Sequence, residues 1–129
     1  MLSEDNNFNP KQPGGTILIV DDSAQICRVV GRALKNYFDN VLTAISPDIS
    51  EKILEENVVE FLVCDFNLGD ELPTGKELVV KWKHQFRSIR KAVLFTGSPE
   101  EVGFKPPEID EVVGKGGDKE KLYSSLGIH

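Results

Sequence analysis

Cysteine is scarce in this sequence. Cys27 and Cys64 are its two cysteines among 129 residues, and they form no CxxC pair. A disulfide scaffold and a zinc site are excluded on that count. Buried free thiols in a reducing cytoplasm are the expected state. Long apolar runs are missing too, and none approaches a membrane span. The amino terminus, Met-Leu-Ser-Glu-Asp-Asn-Asn, is acidic and lacks the apolar stretch of a secretory signal. Positive charge is in deficit, with 15 Lys plus Arg against 21 Asp plus Glu and a net charge of -6. That excludes a general nucleic-acid or anionic-membrane binder, which needs clustered positive charge. The histidines, His84 and His129, are too isolated for a metal site or a triad. There is no GxxxxGK[ST] loop and no GxGxxG after the first strand, which excludes a P-loop NTPase and weighs against a dinucleotide fold.

What is present suits one soluble domain. Apolar residues are 40% and charged residues 28% of the chain. Residues 1–15 are rich in Asn, Pro and Gly, and predict a disordered leader before a domain over 16–129. Beyond Gly15 the chain alternates short apolar runs with helical patterns. Strands are predicted at Thr16–Val20, Asn40–Ala44, Glu60–Cys64, Ala92–Phe95 and Glu111–Gly114. Helices are predicted over Ser23–Phe38, Pro47–Glu56, Gly75–Phe86 and Asp118–Leu126. Ile26, Val29, Val30, Ala33, Leu34 and Tyr37 mark the first helix. Ile49 and Ile53 mark the second. Leu78, Val79, Trp82 and Phe86 turn inward from the third. Strands apolar on both faces, alternating with helices, imply right-handed crossovers and a parallel sheet. The expected fold is a three-layer α/β sandwich, doubly wound, with five strands in the order 2-1-3-4-5.

Polar residues follow the strands. Strand one runs into Asp21 and Asp22, strand three into Asp65, strand four into Thr96 and strand five into Gly114-Lys115. A parallel sheet brings these ends to one edge. For any one Asp, helix capping is at least as good a reading as chemistry. Lys115 alone reads as a solvated lysine, and Thr96 alone as a β-branched strand residue. Their common position is what favours a site. Three close carboxylates would repel, and a divalent cation relieves the repulsion. An all-oxygen, water-rich set suits Mg²⁺. Lys115 would face an anion beside the metal, and Thr96 would donate to it. That set makes a phosphoryl-transfer site with Asp65 as nucleophile. Asn67 stands where a haloacid-dehalogenase-type phosphatase needs a second acid.

These residues resemble the receiver domain of two-component response regulators. The similarity runs from Thr16 to Leu126. It rests on Ile-Leu-Ile-Val-Asp21-Asp22, Leu-Val-Cys-Asp65-Phe-Asn-Leu-Gly-Asp, Gly75-Lys-Glu-Leu, Val-Leu-Phe-Thr96-Gly and Val-Val-Gly-Lys115. The resemblance implies a flavodoxin-like fold. It implies Mg²⁺ held by Asp21, Asp22, Asp65 and the main-chain carbonyl of Asn67. It implies a phosphoacceptor at Asp65, a switch hydroxyl at Thr96 and a phosphate-binding lysine at Lys115. The implied donor is a phosphohistidine on a sensor histidine kinase or a histidine phosphotransfer protein, with slow self-catalysed loss of the acyl phosphate. The implied role is a cytoplasmic signalling protein rather than an ordinary enzyme, stand-alone or in a relay. Its downstream target is a protein, with no nucleic acid or membrane as partner.

Four positions depart from the family pattern. Gly116 replaces the proline after the lysine, so a cis bond there would cost about 2.5–4 kcal/mol. Val112 occupies the aromatic switch position. The loop from Asp65 to Gly75 carries extra residues. Pro99, Gly103, Pro106 and Pro107 interrupt the stretch expected to form helix four. That helix should shrink to about one turn near Pro99–Val102, started by a Ser98 capping box. Phe104 is then expected to pack inward over the bared sheet. Gly97, beside Thr96, should leave the site open. A pseudo-receiver that signals by binding, without phosphorylation, is the competing reading.

Overall fold

Alternating apolar side chains send each strand into two cores at once, and the architecture follows from that. The computed structural model describes residues 13–117 and 119–128. Most of the expected leader, Asp118 and His129 lie outside them. In chain order the elements are β1 (Thr16–Val20), α1 (Ala24–Leu34), β2 (Asn40–Ala44), α2 (Pro47–Glu56) and β3 (Phe61–Cys64). They continue with α3 (Gly75–Gln85), β4 (Lys91–Thr96), a single 3-10 turn (Pro99–Glu101), β5 (Glu111–Gly114) and α4 (Lys119–Ser125). All pairings are parallel, in the order β2-β1-β3-β4-β5. Ile17 and Ile19 face one side of the sheet, with Val30, Leu34, Leu122 and Leu126 of α1 and the α4 end. Leu18 and Val20 face the other, with Leu54 of α2 and Val79 and Trp82 of α3. A strand with both faces covered has no use for polar residues in its interior.

Helix starts are fixed locally. The Ser23, Ser46 and Thr74 hydroxyls accept the N–H groups of Ile26, Ile49 and Glu77. Glu77 reaches back to the Thr74 N–H at 3.0 Å, completing a capping box. The first helix ends earlier than its periodicity predicts. Bonds from Lys35 N–H to the Arg32 carbonyl and from Tyr37 N–H to the Leu34 carbonyl tighten the last turn. Phe38 leaves the helix and packs edge-on against Phe61, centroids 5.0 Å apart. Val29 and Ile49 satisfy helical spacing but are exposed. Each sits at the flank of an apolar stripe that needs fewer residues than the pattern offers.

The stretch before β5 is largely as the prolines require. The turn is short, and Gly103 follows it with φ +70°. Two expectations there are corrected. Ser98 makes no side-chain cap; its N–H instead donates to Thr96 Oγ1 at 3.1 Å. Phe104 does not pack inward but is 77% exposed. Val102 and Ile109 cover the sheet in its place, both buried in the core with α3. Ties hold that arrangement. Lys76 Nζ donates to the Val102 carbonyl at 2.9 Å, and Lys105 Nζ to the Ile109 carbonyl at 2.8 Å. His84, isolated in sequence, meets Glu108 at 2.7 Å. The left-handed backbone at Gly103 turns the chain between the two buried residues, which leaves Phe104 outside.

Candidate functional site

Each strand that reaches the carboxyl edge passes its last backbone bond to the next site residue. Asp21 N–H donates to the Ala44 carbonyl at 3.1 Å, Asp65 N–H to the Val20 carbonyl at 2.8 Å, and Lys115 N–H to the Thr96 carbonyl at 2.8 Å. The sheet register therefore places Asp21, Asp65, Thr96 and Lys115 side by side. Lys115 Nζ lies 2.7 Å from Asp21 Oδ2 and 3.3 Å from Asp65 Oδ2. The other Asp21 oxygen accepts the Ser23 N–H at 2.9 Å. Asp22, which follows in the chain, stays exposed. One carboxylate oxygen each from Asp21, Asp22 and Asp65 lies within 4.8 Å of the others. Asn67 stays near Asp65, its side-chain oxygen accepting the Gly69 N–H at 3.3 Å.

The electrostatics are opposed. Burial pushes the Asp65 carboxyl above its ordinary value, and the Asp21 charge adds to the push. Lys115 and a hydrogen bond from the Asn67 backbone pull the other way and do not fully offset it. Burial would lower the Lys115 ammonium, but its hydrogen bond to Asp21 and the two carboxylate charges hold it above its ordinary value. Lys115 therefore stays charged at neutral pH. The two thiols do not compete as nucleophiles. Burial raises both, and each Sγ bonds a main-chain carbonyl at this edge, Cys27 to Asp21 and Cys64 to Asp65.

The donor set fits a small divalent cation. Oxygen ligands at 2.0–2.1 Å, opposed across an octahedron, stand about 4.2 Å apart. The three carboxylate oxygens all lie within 4.8 Å of one another, a limit slightly beyond that span. They also leave excess negative charge around a single ammonium, which a cation would neutralise.

Two glycines shape the site. A Cβ on Gly97 would meet nothing, so the space beside Thr96 is open. A Cβ on Gly75 would collide with the Asp65 carbonyl oxygen. Gly75 N–H also donates to the Phe66 carbonyl at 2.7 Å, so α3 starts directly against the Asp65 loop. Residue periodicity gives no sign of that contact. The Thr74 and Glu77 capping pair, with glycine between them, is the available signal. No cis peptide bond occurs among the described residues, so the Lys115-Gly116 bond is trans.

No family model and no curated protein matches the sequence. Solved structures do match. The N-terminal signal receiver domain of a two-component response regulator from Bacteroides fragilis is 30% identical, with a TM-score of 0.71. That alignment covers 87% of this chain and 93% of that one. This chain belongs to the receiver-domain family of response regulators. The receiver fold is also shared with the signal receiver domain of an HD domain-containing protein from Pseudomonas fluorescens Pf-5. That pair has a TM-score of 0.75 at 20% identity, covering 87% of this receiver and 90% of the other chain. The Thermotoga maritima response regulator TrrA, solved in complex with Mg(2+)-BeF, has a TM-score of 0.70 at 21% identity. Its alignment covers 87% of this receiver and 99% of that chain. No helix of this receiver is long and apolar enough to cross a membrane among the described residues.

Proposed function

We propose that this receiver accepts a phosphoryl group on Asp65 from a phosphohistidine donor, on a sensor histidine kinase or a histidine phosphotransfer protein. The observation that carries the reading is the convergence of Lys115 Nζ on both the Asp21 and Asp65 carboxylates at the open sheet edge. Asp65 supplies the attacking carboxylate oxygen. Lys115 balances the charge of the incoming phosphoryl oxygens. Thr96 offers its hydroxyl to the same group. Asp21, Asp22, Asp65 and the Asn67 carbonyl are the residues that would hold Mg²⁺. The ion, when bound, neutralises charge on the carboxylates and the phosphoryl oxygens. The Mg(2+)-BeF complex of the Thermotoga maritima relative supports this assignment. Open space beside Gly97 leaves the acyl phosphate accessible to water, which suits slow self-catalysed loss. We read the unit as a leader over 1–15 and a receiver over 16–129, acting in the cytoplasm alone or in a relay on a protein target.

The Val112 position and the missing helix before β5 favour one second reading, a pseudo-receiver that acts by binding alone. Acetyl phosphate separates the two. We predict Mg²⁺-dependent labelling of the protein, lost with a chelator and lost in Asp65→Asn. A protein that stays unlabelled with Mg²⁺ present is a pseudo-receiver.

A further inference from the structure

A second charged feature lies on the flank of the sheet. β2 is an edge strand, bonded on one side only among the described residues. Asn40 N–H donates to the Gly15 carbonyl at 3.2 Å, and the Ala44 carbonyl accepts from Asp21 N–H at 3.1 Å. Backbone groups of a parallel strand alternate in direction. The N–H and C=O groups of Val41 and Thr43 therefore point to the open side, where they have no partner among the described residues. α1 runs beside this edge. It comes close because Gly31 has no side chain; a Cβ there would touch Val41 Cγ1 at 3.6 Å and Thr43 Cγ2 at 3.8 Å.

Between α1 and β2 lies a groove of about 460 Å³. Arg28, Arg32 and Lys35 line it from the helix side. Their spacing of four and three residues puts all three on one helix face. None forms an ion pair among the described residues. The nearby acid, Asp39, is engaged by the Gly15 N–H at 2.9 Å. Three cations outside any ion pair thus gather with a single carboxylate, Asp39, in a groove of a chain whose net charge is -6.

We propose that this groove docks an extended acidic segment of a partner protein, added as a strand beside β2 with alternate carboxylates against Arg28, Arg32 and Lys35. Two independent features call for such an occupant. The open edge offers N–H and C=O groups in strand register, which a small anion could not satisfy. The cations offer complementary charge, with one pair at a matching repeat. Side chains on one face of a strand recur every ~6.6 Å; Arg28 and Arg32 are ~6 Å apart along the helix axis, while Lys35 follows ~4.5 Å further on. A nucleic acid fits less well, because three cations neutralise few phosphates while the rest of the surface repels them.

The test uses the whole chain and a fluorescent peptide of about ten residues alternating Glu and Val. We predict that it binds and that its Gln-for-Glu counterpart binds about tenfold more weakly, or worse. Arg28→Glu with Arg32→Glu should weaken the acidic peptide by at least about tenfold, and added salt should weaken it in the parent protein. Binding should slow amide exchange at Val41 and Thr43, and N-methylation of alternate peptide residues should abolish it. The peptide variants leave the protein unaltered, so they decide the matter even if the double variant misfolds. Equal binding of the Glu and Gln peptides would overturn the proposal. So would binding without protection at Val41 and Thr43, or a single-stranded oligonucleotide that displaces the peptide at lower concentration than unlabelled peptide does.

Discussion

Asp65 is held between opposed forces, and its titration exposes them. Burial and the Asp21 charge raise its carboxyl above the ordinary value of 3.8, despite Lys115. An acid raised by folding costs stability when ionised. The cost is absent below the unfolded value, grows as pH rises from the unfolded value to the folded one, and is complete above the folded value. Asp65→Asn keeps the shape and removes the charge. We predict a higher melting temperature for that variant at pH 7, by about 2–8 °C for each kcal/mol gained. The gain should shrink toward about pH 3, where the native carboxyl is neutral too. Equal melting at pH 7 would contradict the charge balance described. The clustering of these side chains at one sheet edge was legible in the sequence, because Asp21, Asp22, Asp65 and Lys115 each follow a strand, Thr96 ends one, and a parallel sheet aligns strand ends. The close fit of Gly75 against the Asp65 carbonyl was not legible. It is a contact through space between the residue after β3 and the first residue of α3, and no periodicity encodes it.

At the scale of one element, the segment between β4 and β5 divides into what proline dictates and what packing dictates. Pro99, Pro106 and Pro107 cannot sit in a helix interior, so the reduction to a single turn was legible. Which side chain covers the sheet was not. Phe104 has the largest apolar surface in the segment, and size favoured it. The left-handed backbone at Gly103 instead points it out, while Val102 and Ile109, on either side, are buried. We predict that Ile109→Ala costs about 2–5 kcal/mol. Phe104→Ala should change stability by no more than about 0.5 kcal/mol. Urea unfolding of the two variants measures both. A large loss at Phe104 with none at Ile109 would reverse the packing described.

For the whole molecule, the regular exchange of buried strands with capped helices made the strand order legible from end to end. The order in the structure is the one expected for a doubly wound sheet. The short turn at Pro99–Glu101 changes the outer surface more than the core. With a single turn before β5, the face formed by β5 and α4 has no full helix beside it to widen a contact with a second copy. We predict that the beryllofluoride-bound protein sediments as a monomer. A beryllofluoride-dependent dimer, lost on substitution along β5 and α4, would show that the face survives without its helix. In the function proposed above, Asp65 carries the phosphoryl group. Treating the protein with acetyl phosphate and Mg²⁺, then reducing it with borohydride, converts an aspartyl phosphate to homoserine at the modified position. Peptide mapping should place homoserine at position 65 alone. Homoserine at Asp21 or Asp22, or at no position in a protein shown to be folded, would contradict the account.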